Sequence, residues 1–175
     1  MRHTRTCMIL LMVAALFLFV SSSVLAQPPA RTGPRALMQD DVFTPIAKGY
    51  DLIRDGKYDA AKFEFETALK KDRYNPFALN NLAVLSEREG KLNDALAFLT
   101  DATTHAAEYK DKVSQTCFVG GGCLAVQPVK GAASKSEIAP IVQDNIQKLQ
   151  AKMAAQKTPA SPGSPPQVVP PPKTK

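Results

Sequence analysis

Cys117 and Cys123 bracket a phenylalanine, a valine and three glycines, and their type and spacing invite chemistry more directly than any other side chains in this 175-residue sequence. Paired cysteines serve three purposes: a metal clip, thiol–disulfide exchange or a structural bridge. Zinc normally requires four nitrogen or sulfur ligands. The third cysteine, Cys7, lies at the far N-terminus, and the only histidine besides His3 is His105. Exchange enzymes more often carry two residues between their cysteines; here there are five. These exclusions leave a Cys117–Cys123 disulfide as the expectation, with no metal and no cofactor. A short hairpin, strands at 114–119 and 123–129, is expected around it.

Other chemical constellations are weaker. His105 has Asp101 one helical turn before it, but no nucleophile is placed by a recognisable motif. A histidine near a helix end also suits the helix dipole. Glu64, Glu66, Glu87 and Glu89 sit among lysines and arginines at helical spacing, which reads as a solvated face. Gly120, Gly121 and Gly122 are not followed by the Lys-Ser/Thr of a phosphate loop. The sequence makes no case for an enzyme.

The chain opens MRHTRTCMILLMVAALFLFVSSSVLAQ. Arg2 and Arg5 precede 13 apolar residues, Met8 to Val20, and Val24-Leu25-Ala26 fits a signal-peptidase site. Thirteen residues rise only about 20 Å as a helix, less than the roughly 30 Å of a bilayer core. A cleaved signal over 1–26 is therefore expected, with export to an oxidising compartment such as the periplasm, where two cysteines would pair. A retained anchor is the alternative. Without Arg2 and Arg5, the 22 basic residues become 20 against 16 acidic ones, a net +4. That excess does not mark a nucleic-acid binder, and the absence of tryptophan argues against a base-stacking surface.

The elements that position these residues follow from periodicity. DGKYDAAKFEFETALKKD and EGKLNDALAFLTDATTH align at an offset of 34. Lys57 then meets Lys91, Ala61 meets Ala95, Phe65 meets Leu99 and Ala68 meets Ala102. Thr44-Pro45 and Asn75-Pro76 read as helix starts, and Gly56 and Gly90 as helix stops. Helices are predicted over 42–54, 59–71, 76–89 and 93–108. A further apolar stripe, Ile138, Ile141, Val142, Ile146, Leu149 and Met153, predicts an amphipathic helix within 134–155. Its start is offered by Ser134 with Glu137 as a capping box, or by Ser136. It can cap the preceding helices or pair two copies of the chain.

Residues 42–109 resemble the tetratricopeptide repeat, as units 42–75 and 76–109. The resemblance rests on small residues at the helix crossings (Gly49, Ala61 and Ala68; Ala83, Ala95 and Ala102) and on bulky Phe65 and Leu99 beside them. It departs at Lys48, Pro45, Leu79 and Ser86. The family implies an all-α fold of two helical hairpins, here with the C-terminal helix as cap and a disulfide-closed loop over 110–133. A flexible lead, 27–41, and a tail, 156–175, with seven prolines in twenty residues complete the chain.

The resemblance further implies a concave groove that receives protein or peptide segments. Its positions fall on Phe43, Ile46, Tyr50, Ile53 and Arg54 in the first unit, and Phe77, Asn80, Asn81, Val84, Glu87 and Arg88 in the second. Of the carboxylate-clamp residues of one subclass only Asn81 is matched. The expectation is a non-enzymatic exported adaptor for a partner protein in the envelope, similar in layout to periplasmic repeat proteins of pilus and secretion-system (Tad-type) assembly. A thiol–disulfide component and a homodimer through the C-terminal helix are the alternatives. The chain's own residues 110–133 could also fold back into the groove.

Overall fold

The computed structural model describes residues 37–157; the expected signal, 1–26, and residues 27–36 and 158–175 of the expected lead and tail lie outside the described residues. The described elements run α1 Asp40–Arg54, α2 Tyr58–Lys71, α3 Pro76–Arg88, α4 Leu92–Ala106, β1 Asp111–Phe118, β2 Leu124–Ala132 and α5 Ile138–Lys157. No helix among the described residues is long and apolar enough to cross a membrane.

Successive helices pack as antiparallel neighbours, α1 with α2 and α3 with α4, and the two pairs meet through α2 and α3. The 34-residue offset reappears in the hydrogen bonds of the turns. Gly56 and Gly90 have φ of +75° and +77°, a left-handed conformation that a side chain disfavours. Their N–H groups donate to Ile53 and Glu87, and the next residues, Lys57 and Lys91, donate to Leu52 and Ser86. Each helix thus ends in a Schellman motif. Lys57 and Lys91 then pair with Asp55 and Glu89. At the crossings Ala61, Ala68, Ala83, Ala95 and Ala102 are fully buried beside Phe65 and Leu99. A methyl group on Gly49 would collide with the Phe65 ring, so glycine there sets how closely α1 and α2 approach.

Helix starts follow expectation with two corrections. Asn75 caps α3, its side-chain oxygen accepting from the N–H groups of Phe77 and Ala78 at 3.1 and 3.2 Å. The start of α1 is not Thr44 but Asp40, where Asp40 and Asp41 place negative charge in the first turn. Pro45 lies inside that helix. At the start of α5, the Ser136 hydroxyl accepts from Ala139 N–H at 3.2 Å, which keeps Pro140 in the first turn. Glu137 closes no capping box; its carboxylate accepts from Val113 N–H in β1 at 2.7 Å.

The all-α expectation is corrected by residues 110–133. They form an antiparallel two-stranded sheet in which Thr116 faces Val126, Cys117 faces Ala125 and Phe118 faces Leu124. Irregularities at Asp111/Lys112 and Val113/Gln115 interrupt the first half of β1. It is β2 that packs on the helices, touching α1, α3 and α5.

Candidate functional site

Most of the residues expected to line a groove are buried on α1 and α3, and β2 of the chain's own hairpin packs against both helices. Ile46, Tyr50, Ile53, Phe77, Asn80, Asn81, Val84 and Glu87 are buried, and Phe43 is half-buried with the Lys130 ammonium 5.6 Å from its ring centroid. Arg54 and Arg88 remain exposed. The Arg88 guanidinium lies 3.6 Å from the centroid of Tyr58, on the neighbouring helix pair.

The buried polar residues among them form a backbone cradle. Asn81 accepts from Val126 N–H at 2.8 Å and donates to Val126 C=O at 2.9 Å. Asn145, from α5, does the same for Leu124: its oxygen accepts the N–H at 2.7 Å and its amide donates to the C=O at 2.9 Å. Asn80 adds a bond to Leu124 C=O at 2.8 Å and accepts from Asn145 at 2.7 Å. All three asparagines are 0% exposed. In an antiparallel pair, alternate residues point their N–H and C=O away from the partner strand. Leu124 and Val126 are two such residues, so the amides seal the outer edge of β2 as a neighbouring strand would.

Glu87 anchors the turn. Its two oxygens accept from Gly122 N–H and Cys123 N–H, each at 2.9 Å, and Lys152 of α5 donates to it at 2.9 Å. Burial by itself would raise this carboxyl's pKa; the Gly122 N–H, the Lys152 ammonium and Cys123 together bring it down to about 2. The expected solvated face is thereby corrected at Glu87, which is 2% exposed. A side chain on Gly121 would run into this carboxylate.

Both cysteines are thiols, which corrects the expected bridge. Extending the strand register, Cys123 lies diagonal to Cys117 rather than opposite it. Diagonal neighbours stand roughly 7–8 Å apart, more than a disulfide's Cβ spacing allows. Cys117 instead lies beside the Tyr50 hydroxyl, whose pKa burial and this contact push up to about 12. The Cys123 thiol donates to Asn145 C=O at 3.5 Å. Burial, with the Glu87 carboxylate, pushes that thiol up to about 12. Exchange chemistry needs a thiolate, and this environment suppresses one.

His105 does not join Asp101; its Nδ1 lies 3.0 Å from Glu108, and its ring packs against Tyr74. Among the described residues no group of three His, Cys, Asp or Glu is arranged to hold a metal. The apolar stripe of α5 turns inward, with Ile138, Val142 and Leu149 fully buried. Asn145 and Lys152 were not among the expected site residues. Asn145 nevertheless stands in that stripe, at 4-3-4 spacing with Ile138, Val142 and Leu149. No protein-family model, curated protein or solved structure matches this chain.

Proposed function

We propose that the chain is a non-enzymatic adaptor of the cell envelope, in which two tetratricopeptide units and a capping helix hold a β-hairpin rigidly for a partner protein. One observation carries this reading: Asn80, Asn81 and Asn145 bind the backbone of β2 and Glu87 that of the turn before it, all four side chains being buried. Amides that satisfy strand edges recognise main chain, the usual basis of strand capture. A carboxylate held near pKa 2 by three donors is not poised to move protons at neutral pH.

The repeat assignment is supported by the matched Schellman turns and by the small-residue crossings at the same offset. Export is supported by the leader sequence, and a place in pilus or secretion-system assembly by the layout of leader, repeats and proline-rich tail. The buried stripe of α5 favours its role as a cap over pairing of two copies.

Crosslinking capture from the envelope fraction, with the full chain expressed and exported, tests the reading. A processed chain bound to one defined protein is the expected result. An unprocessed chain in the cytosol, or an envelope chain that captures no protein, overturns it.

A further inference from the structure

The two edges of the hairpin differ. The β2 edge is sealed by Asn80, Asn81 and Asn145. Since Val126 gives both backbone groups to Asn81, its partner Thr116 forms a non-hydrogen-bonded pair with it, and Thr116 N–H and C=O point out from β1. No group among the described residues meets them. Natural sheets blunt such edges with bulges and charge. Here the irregularities and the Glu137 contact protect only β1's first half; from Gln115 to Phe118 the pairing is regular and the edge is open.

Charge indicates what fits. Residues 110–135 carry Lys110, Lys112, Lys130 and Lys135 against the single acid Asp111, which is buried and accepts from Met38 N–H at 3.0 Å. Lys130 pairs with Asp40, while Lys110, Lys112 and Lys135 are exposed and form no ion pair among the described residues. A second copy would bring the same lysines to the edge. The chain's own ends offer nothing complementary: 27–36 and 158–175 contain arginine or lysine, several prolines and no acid.

We propose that the open edge of β1, centred on Thr116, accepts an extended acidic segment of a partner protein as a third strand. A residue opposite Thr116 takes both its backbone groups. Beyond Gln115 the irregular half of β1 and the Glu137 contact end the pairing, so the segment leaves the edge there, and an aspartate or glutamate in that outgoing stretch meets the exposed Lys112 ammonium. This rests on the adaptor reading and adds the docking edge and the chemistry of the segment.

The test uses the purified protein and the peptide Ser-Thr-Val-Thr-Val-Thr-Glu-Glu-Asp. Controls are the same peptide with lysine at its three acidic positions and one N-methylated at alternate amides. The acidic peptide is expected to bind and to slow hydrogen exchange at the Thr116 amide at least about tenfold; both controls are expected to lose at least about tenfold in affinity. Thr116→Pro removes an N–H that the hairpin does not use, so it is expected to abolish binding with the fold intact. The N-methylated control decides the matter if that variant fails to fold. Absence of binding, equal binding of the lysine peptide, or protection at Leu124 and Val126 instead of Thr116 overturns the inference. So does a homodimer that Thr116→Pro dissociates. Failed peptide binding with envelope capture intact overturns this inference alone; failed capture with peptide binding intact overturns only the envelope-adaptor reading.

Discussion

The inner helices α1 and α3 occupy the same place in their respective helix pairs, yet they grip the hairpin by different means. At the 34-residue offset Ile46 matches Asn80, Ala47 matches Asn81, Tyr50 matches Val84 and Ile53 matches Glu87. The first helix offers apolar surface and a tyrosine, and its polar contacts, Asp40 to Lys130 and Asp51 to Gln127, reach only β2 side chains; the second offers two amides and a carboxylate to strand and turn backbone. Apolar contact supplies burial but tolerates sliding. The amide bonds do not, because Leu124 and Val126 present their backbone groups at a two-residue interval, and a one-residue slip would turn those groups away. The helix pairs therefore divide the work: the first contributes area, the second fixes register.

The largest effect is expected where register is fixed. Asn81→Leu leaves Val126 N–H and C=O buried without partners, at a cost of about 2–4 kcal/mol. Urea unfolding followed by circular dichroism measures it. On the apolar helix, Ile46→Val is expected to cost only about 0.5–1.5 kcal/mol. Equal losses at the two positions would break the division between the helices.

Acid provides the next test. The Glu87 carboxyl is lowered from an ordinary 4.5 to about 2 in the folded chain. A depressed carboxyl stabilises the fold above its unfolded pKa and loses that contribution as pH falls through its folded one. Glu87's share is thus complete above about pH 4.5 and disappears towards pH 2. Urea midpoints measured across that window are expected to fall, and Glu87→Gln to flatten the fall. An unchanged slope in the variant would remove Glu87 as the anchor of the turn.

The helices were legible because their signals are local. Periodic apolar residues, the Asn75 cap and the glycines at 56 and 90 each act within a turn or two of themselves. Alternation around the glycines also announced a hairpin. What covers the groove was less accessible, since the amides bind Leu124 and Val126 through backbone groups that carry no side-chain signature. Asn145 stood in view within an apolar stripe, but its partner lies 21 residues away. Glu87 admits two readings in sequence, with Arg88 and Glu89 as a solvated face and with Asn80 and Val84 as an inner position, and only the second follows its helical phase. Cys117 and Cys123 misled because an even count says nothing of strand register.

Close approach at the turn gives a smaller effect. Gly121→Ala sets a methyl group against the Glu87 carboxylate, which three donors hold in place. Displacing it is expected to cost about 1–3 kcal/mol and to speed exchange at the Gly122 and Cys123 amides. Exchange that quickens there while the helices stay protected locates the damage in the anchor.

The smallest effect is expected at Arg88, which like Arg54 was expected in the groove and remains in solvent. Its guanidinium stacks on Tyr58 across the two helix pairs, a contact worth about 0.5–1 kcal/mol when exposed. Arg88→Ala should therefore lower the urea midpoint slightly and leave hydrogen exchange in the hairpin unchanged, because Arg88 touches the other helix pair and not the strands. Arg88→Lys should recover only part of the loss, since an ammonium lacks the planar face that stacks on the ring. If Arg88→Ala instead loosened the hairpin as Asn81→Leu does, the exposed rim and the buried cradle would be one cooperative unit, and the separation between apolar support and polar register would fail at that residue.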